Sequence, residues 1–210
     1  MTHLPINHSP EPIRLFKSDF LEFFSHIHPA VIVIIWLPMA IFFLIHGILT
    51  RPITISPVFI PICFVLGLFL WTLVEYTLHR FVFHYRARNP AQERIVFLFH
   101  GIHHTQPQDK TRLVMPPVVS IPLAGVLYGL LFLILNLILK LPVLINPLFS
   151  GLLIGYLVYD LTHYATHHFP MRWGILKFLK RYHMSHHYKT PNRKFGVSSP
   201  LWDIVFQTQN

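Results

Sequence analysis

The sequence predicts an all-α integral membrane protein with four transmembrane helices in two hairpins and a cytosolic helical cap. Three observations carry that prediction. The 210 residues are 53% hydrophobic and 12% charged, against roughly 25% charged in an ordinary soluble domain. Four stretches contain no Asp, Glu, Lys or Arg and are long enough to cross a bilayer: Phe23 to Thr50, Pro52 to Val74, Leu113 to Leu139, and Leu141 to Tyr159. The cationic residues are also sorted to one side: of 17 Lys and Arg, only Arg51 and Lys140 fall in the short turns between paired spans. Disorder is excluded, because it requires low hydrophobicity with high charge. A disulfide scaffold is excluded by a single cysteine, Cys63. The net charge of +9 in so apolar a chain points to a lipid surface and not to nucleic acid.

A spanning helix needs about 20 apolar residues, which places the spans at 28–50, 53–75, 115–139 and 142–160. The breaks at Arg51-Pro52 and Lys140-Leu141-Pro142 are short enough to make two helical hairpins. Gly151 and Gly155 are spaced for close helix packing in the fourth span. Ahead of the first span, Leu15, Phe16, Phe20, Phe23, Phe24 and Ile27 share one side of a helix, with Arg14, Lys17, Asp19 and Glu22 mostly opposite. That pattern predicts an interfacial amphipathic helix over 11–27. The positive-inside rule puts both termini and the polar segments 79–112 and 163–210 in the cytosol. No fixed-length repeat, low-complexity tract or signal peptide is visible, so 1–210 reads as one domain.

The second anomaly is sixteen histidines. Eleven fall in four clusters: His79 and His84; His100, His103 and His104; His163, His167 and His168; His183, His186 and His187. At this histidine frequency an H-x-x-H-H match is expected roughly 0.1 times by chance in the whole chain, and it occurs twice. All four clusters sit just cytosolic of the second and fourth spans. Residues at i, i+3 and i+4 share a helix face, so His100, His103 and His104 are expected to converge on a point, as are His183, His186 and His187. His163 and His167 form an i, i+4 pair. His79 and His84, five apart, would diverge by about 140° on a regular helix, so one lies past the helix end or the helix is distorted. Imidazole suits Zn, Fe, Cu and Ni. Ten rings are too many for one ion and enough for two, with about five nitrogens each. A b-type haem, which needs facing single histidines inside the spans, fits poorly.

The remaining histidines read more plainly. His26, His28 and His46 are interior or interface residues, and His3 and His8 belong to the tail. Glu75 and His168 are expected to support the ligands from behind. Glu75 precedes His79 by four residues and Asp160 precedes His163 by three, so that each carboxylate accepts the second N–H of its imidazole and fixes the tautomer. Tyr159, four before His163, and Asp160 are the candidate catalytic residues, Tyr159 being equally readable as an interfacial aromatic. Pro191-Asn192 marks a turn folding the C-terminal strip back over the histidines. Arg112, Lys189, Arg193 and Lys194 are candidates for steering an anionic substrate group or electron donor, with positive-inside bias the simpler account.

Trp71 to His84 (WTLVEYTLHRFVFH), Phe97 to His104 (FLFHGIHH), Asp109 to Pro117 (DKTRLVMPP), Tyr159 to His168 (YDLTHYATHH) and Tyr182 to Tyr188 (YHMSHHY) resemble the membrane-bound fatty acid hydroxylase superfamily. RLFKSDFLEFF from Arg14 and FGVSSPLWDIVFQT from Phe195 extend the likeness over nearly the whole chain. RLVMPP beside the HG-x-HH box is similar to the fatty acid 2-hydroxylases in particular. The resemblance implies that His79, His84, His100, His103, His104, His163, His167, His183, His186 and His187 ligate two metal ions, iron for activity, with zinc possible in purified protein. It also implies O2 as co-substrate and hydroxylation at C-2 of a fatty acyl chain, for sphingolipid or other membrane lipids. Eukaryotic relatives often carry an N-terminal cytochrome b-type haem domain. This sequence starts almost at the RLF segment, so an external donor, a cytochrome b-type protein or a ferredoxin with its reductase, is expected to supply electrons. The expected setting is the endoplasmic reticulum in a eukaryote and the cytoplasmic membrane in a bacterium. Two alternatives stay open: a sterol or other lipid hydroxylase or desaturase of the same superfamily, and a histidine-rich membrane metal transporter.

Overall fold

The computed structural model describes residues 6–9 and 11–210, and every regular element among them is helical. His3 therefore lies outside the described residues. In chain order the helices are α1 (Asp19–Phe23), α2 (Pro29–Leu49), α3 (Phe59–Thr77), α4 (Pro90–Val96), α5 (Ile102–Thr105), α6 (Pro117–Leu131), α7 (Ile145–His168), α8 (Gly174–Tyr188) and α9 (Leu201–Val205). Three wider π-helical stretches extend them: Leu78–Phe83 continues α3, Phe97–Gly101 joins α4 to α5, and Phe132–Ile138 continues α6.

Four helices are long and apolar enough to cross a membrane: Pro29–Leu49, Phe59–Phe83, Pro117–Ile138 and Pro142–His168. They overlay the four spans read from the sequence, with one extension that matters. The second runs on through His79, and the fourth through His163 and His167. Those rings are thus carried on the ends of spanning helices and not on segments beyond them.

Residues divide into two compact units. The apolar unit comprises 30–71 and 115–158. Its packing rests on small residues where helices touch. A Cβ added at Gly151 would stand 2.0 Å from the Phe64 carbonyl oxygen, and one at Gly67 2.1 Å from that of Leu148. At Gly155 a Cβ would meet the Trp71 side chain at 2.4 Å. Backbones approach this closely only without side chains between them, which strengthens dispersion contact where lipid offers no hydrophobic drive. Trp36 and Trp71 both pack edge-on against Tyr156, at 5.7 and 5.3 Å, and Ser150 Oγ donates to the Ala40 carbonyl at 2.7 Å.

The polar unit comprises the described residues up to 29, with 72–114 and 159–210, and it contains all four histidine clusters. The amphipathic helix expected over 11–27 is much shorter, the five residues of α1. Tertiary contacts override the local pattern. Glu22 turns its carboxylate back to accept the backbone N–H groups of Leu15 and Phe16 at 3.0 and 2.8 Å. Gln106 accepts the Ile13 N–H at 2.8 Å. These bonds hold 13–16 in a non-helical path, while Phe20 and Phe23 remain 70% and 72% exposed.

Gly151→Val is expected to lower the thermal midpoint of the detergent-solubilised protein, because overpacking a closed interface costs about 1–3 kcal/mol or more. A thermal melt against wild type checks it, and an unchanged midpoint counts against the close approach.

Candidate metal centre

Ten imidazoles gather in the polar unit as two groups of five. His79, His84, His100, His104 and His186 form the first; His103, His163, His167, His183 and His187 form the second. Within each group one ring nitrogen per residue lies within 4.8 Å of all the others. All are buried except His167, which is half-buried.

Local backbone geometry produces this convergence. On an α-helix His79 and His84 would point apart, but Leu78–Phe83 is π-helical and the His84 N–H bonds the His79 carbonyl at 3.0 Å. An i→i+5 bond brings residues five apart onto one face, so the distortion required by the spacing is a single widened turn. Phe97–Gly101 repeats the device beneath His100. The two H-x-x-H-H boxes do not each converge on one point, as the spacing suggested. His100 and His104 enter the first group while His103 enters the second; His183 and His187 enter the second while His186 enters the first. Consecutive residues point about 100° apart on a helix, so two adjacent histidines enter different groups, and only the i, i+4 pair shares one.

The contacts fit a metal ligand set. His100 Nε2 stands 3.0 Å from Nε2 of both His79 and His104, and His186 Nε2 stands 3.1 Å from that of His84. In the second group, His103 Nε2 lies 2.9 Å from His163 and 3.0 Å from His187, and His183 Nε2 lies 2.9 Å from His167 and 3.0 Å from His187. Two nitrogens bound at right angles to one ion, each about 2.1 Å from it, stand about 3.0 Å apart. His79 and His186 donate their Nδ1 protons to the carbonyls of Phe195 and Arg193, which leaves bare lone pairs on Nε2. Such lone pairs facing each other repel unless a proton or a metal cation lies between them. Burial, reinforced by the neighbouring rings, holds His84, His100, His103, His104, His183, His186 and His187 below the ordinary imidazole value. Neutral imidazole is the form that ligates metal.

This arrangement agrees with comparisons to known proteins. Residues 64–208 match the fatty acid hydroxylase family. The chain belongs to that family. It is 37% identical over 209 residues to a dihydroceramide fatty acyl 2-hydroxylase of Arabidopsis thaliana, covering 98% of this chain and 83% of the relative. Against the fatty acid 2-hydroxylase of Homo sapiens it is 35% identical over 225 residues, covering 98% of this chain but only 58% of the human protein. The solved structure of full-length scs7p, with only its hydroxylase domain visible, superposes with a TM-score of 0.80 at 37% identity, over 90% of this chain and 69% of that one.

The residues expected to support the ligands of this fatty acid hydroxylase are placed differently. Glu75 does not take the second N–H of His79. Its carboxylate accepts the backbone N–H groups of Val197 and Ser198 at 2.6 and 2.8 Å, and the Ser198 hydroxyl, while His79 turns to Phe195. His163 Nδ1 has no hydrogen-bond partner among the described residues, so Asp160, itself buried, does not take that proton either. The three- and four-residue offsets put each acid on the right helix face but leave its partner open. The fold supplies backbone carbonyls and amides instead. His168 lies outside both groups and packs on Tyr164 at 4.6 Å. Tyr159 is buried with its ring against His163, centroids 5.9 Å apart.

The turn after α8 does fold the C-terminal strip back, since Arg193 and Phe195 lend their carbonyls to His186 and His79. The sequence reading missed Asp203, which accepts the N–H groups of Phe195 and Gly196 at 2.9 and 2.7 Å and the Thr208 hydroxyl at 2.6 Å. The signal was present: an acid a few residues beyond the F-G-V-S-S-P turn, in a segment otherwise apolar. Arg112 is not a free steering cation. Its guanidinium is buried against the Ile13 carbonyl, the Glu22 carboxylate and His26 Nε2, and His26 Nδ1 faces the Thr111 hydroxyl at 2.6 Å. Burial pushes the Glu22 carboxyl up, but the amides of Phe16 and Leu15 and the Arg112 guanidinium outweigh it and hold it below the usual range.

Arg112→Ala is expected to destabilise the protein by about 3–5 kcal/mol, because it leaves the shielded Glu22 carboxylate without its counter-charge. Adding Glu22→Gln recovers part of that loss. A double-mutant cycle read by denaturation in detergent checks it, and simple additivity counts against the clamp.

Proposed function

We propose that this fatty acid hydroxylase inserts one oxygen atom of O2 at C-2 of a saturated fatty acyl chain, for sphingolipid or other membrane lipids. The observation that carries the reading is the pair of five-nitrogen histidine groups in a chain whose relatives are named for hydroxylation at that carbon. The first ion is held by His79, His84, His100, His104 and His186, and the second by His103, His163, His167, His183 and His187. When bound, a pair of iron ions supplies the oxidising power that an unreactive C–H bond demands and that acid–base groups lack. Zinc is the redox-silent occupant expected in some purified preparations. One oxygen atom enters the C–H bond and the other leaves as water, so each turnover consumes two electrons and two protons. The electrons come from a cytochrome b-type protein or from a ferredoxin and its reductase.

The chain's own residues set position. Buried neutral rings keep the centre dry and presented on one side by their Nε2 atoms. Tyr159, against His163, and Asp160 are proposed to meet the substrate's polar end and fix C-2 at the centre. Fifteen of the seventeen Lys and Arg lie outside the two short turns between paired spans, which supports termini and histidines facing the cytosol. The membrane is the endoplasmic reticulum if the source is eukaryotic and the cytoplasmic membrane if it is bacterial. A metal transporter would set its ligands along a pathway near the bilayer midplane. Here they cluster at the ends of the spanning helices.

Host cells expressing the chain with a compatible reductase are expected to accumulate 2-hydroxy fatty acids in total hydrolysed lipid, read by mass spectrometry. His103→Ala or His186→Ala abolishes that product without preventing membrane insertion. A mutant with wild-type turnover sinks the ligand assignment for its residue. Hydroxylated or desaturated sterols in place of 2-hydroxy acids overturn the choice of substrate.

A further inference from the structure

The two histidine groups differ in what stands behind their rings. In the first, two of the five rings are oriented from outside by backbone carbonyls: His79 Nδ1 donates to Phe195, and His186 Nδ1 donates to Arg193 at 2.6 Å. Both carbonyls belong to a single strap of chain that follows α8. Among the described residues, Nδ1 is buried with no hydrogen-bond partner at three rings of the second group, His163, His183 and His187, and at one of the first, His84.

The strap is itself fixed by two buried carboxylates. Asp203, fully buried, takes the amides of Phe195 and Gly196, so the residue whose carbonyl holds His79 has its own N–H anchored. Gly196 sits where a Cβ would come within 2.0 Å of the Ser199 carbonyl oxygen, which closes the strap tightly on Asp203. Glu75, 2% exposed, takes the next two amides, of Val197 and Ser198, together with the Ser198 hydroxyl. Four consecutive amides, 195–198, are therefore held by two acids, one on α3 and one on α9. Among the described residues, the hydrogen bonds of both acids go to residues 195–198 and Thr208 and not to any of the ten rings.

An imidazole whose second nitrogen donates to a fixed acceptor is held in one tautomer and one orientation, and is the more basic ligand for it. We propose that the two metal sites are unequal. The His79, His84, His100, His104 and His186 group retains its ion tightly, with Glu75 and Asp203 as positioning residues acting through the strap. The His103, His163, His167, His183 and His187 group is the labile site. This rests on reading the ten histidines as a two-ion centre.

The test uses the full chain in detergent, loaded with zinc as a redox-silent probe. Bound zinc is counted, and its release to an excess of a colorimetric chelator is followed in time. Wild type is expected to hold two ions per chain and release them in two phases of equal amplitude. His167→Ala, which removes a ring of the second group, eliminates the fast phase. Glu75→Gln and Asp203→Asn each accelerate the slow phase by roughly 10–100-fold, the usual consequence of losing an outer hydrogen-bond partner, and leave the fast phase unchanged. Ser198→Ala removes one hydrogen bond from Glu75 and gives a smaller acceleration of the same phase. It carries the test if either carboxylate variant fails to fold. A single release phase in wild type, or equal acceleration of both phases in the variants, overturns the proposal. Fewer than two ions in freshly loaded wild type overturns the two-ion reading beneath it.

Discussion

Ten imidazoles whose ring nitrogens converge in two groups are the constraint on which the polar unit depends. Ring nitrogens about 3 Å apart repel when bare, and burying them costs desolvation that no apolar contact returns. The arrangement suits a site where cations take the place of the lost water. The chain must also hold the rings in place before an ion arrives, since a site assembled from mobile rings would give up affinity to ordering. Much of the unusual local structure answers to that requirement. The π-helical turn at Leu78–Phe83, less favourable than α-helix, appears where the spacing of His79 and His84 demands a wider turn. A loop of backbone carbonyls closes over the first group.

Four charged groups near the site hold backbone segments in place. Glu75, Asp203 and the Glu22–Arg112 pair are buried or nearly so, and each is satisfied mainly by backbone groups of a segment that has no regular structure of its own. The strap 193–198 and the N-terminal path 13–16 could not otherwise keep their amides out of water without a penalty. A carboxylate that accepts two or three N–H or O–H groups does for such a segment what a helix does for its own residues. It also explains why the strap can lie against His79 and His186 without being helical or strand-like.

The membrane spans and the four histidine clusters were legible because each is written in a short window: an uninterrupted apolar run, or imidazoles at helical spacing. Even the π-helical turn at Leu78–Phe83 was visible as a contradiction, since histidines five apart fit no α-helix face. The distribution of rings between the two groups was not legible. It depends on which way a helix is rotated between two facing partners, and His103 and His104 look equivalent until both partners are present. The length of the N-terminal helix was misread for a similar reason. The amphipathic pattern of 11–27 is real, but Glu22 and Gln106 claim the amides that the helix would have used. Arg112 read as a surface cation because nothing within ten residues of it announces Glu22 as its partner.

Dividing each H-x-x-H-H box between the two groups has a consequence that grouping by box would not. One turn of helix carries His100 and His104 into the first group and His103 into the second; another carries His183 and His187 into the second and His186 into the first. Each helix thus braces both groups, and the separation between them is set by the rise and rotation between adjacent residues on one rigid turn. A displacement of either helix moves ligands of both groups together. The spacing of the two groups is thereby fixed by secondary structure, while the orientation of each ring is left to whatever stands behind it.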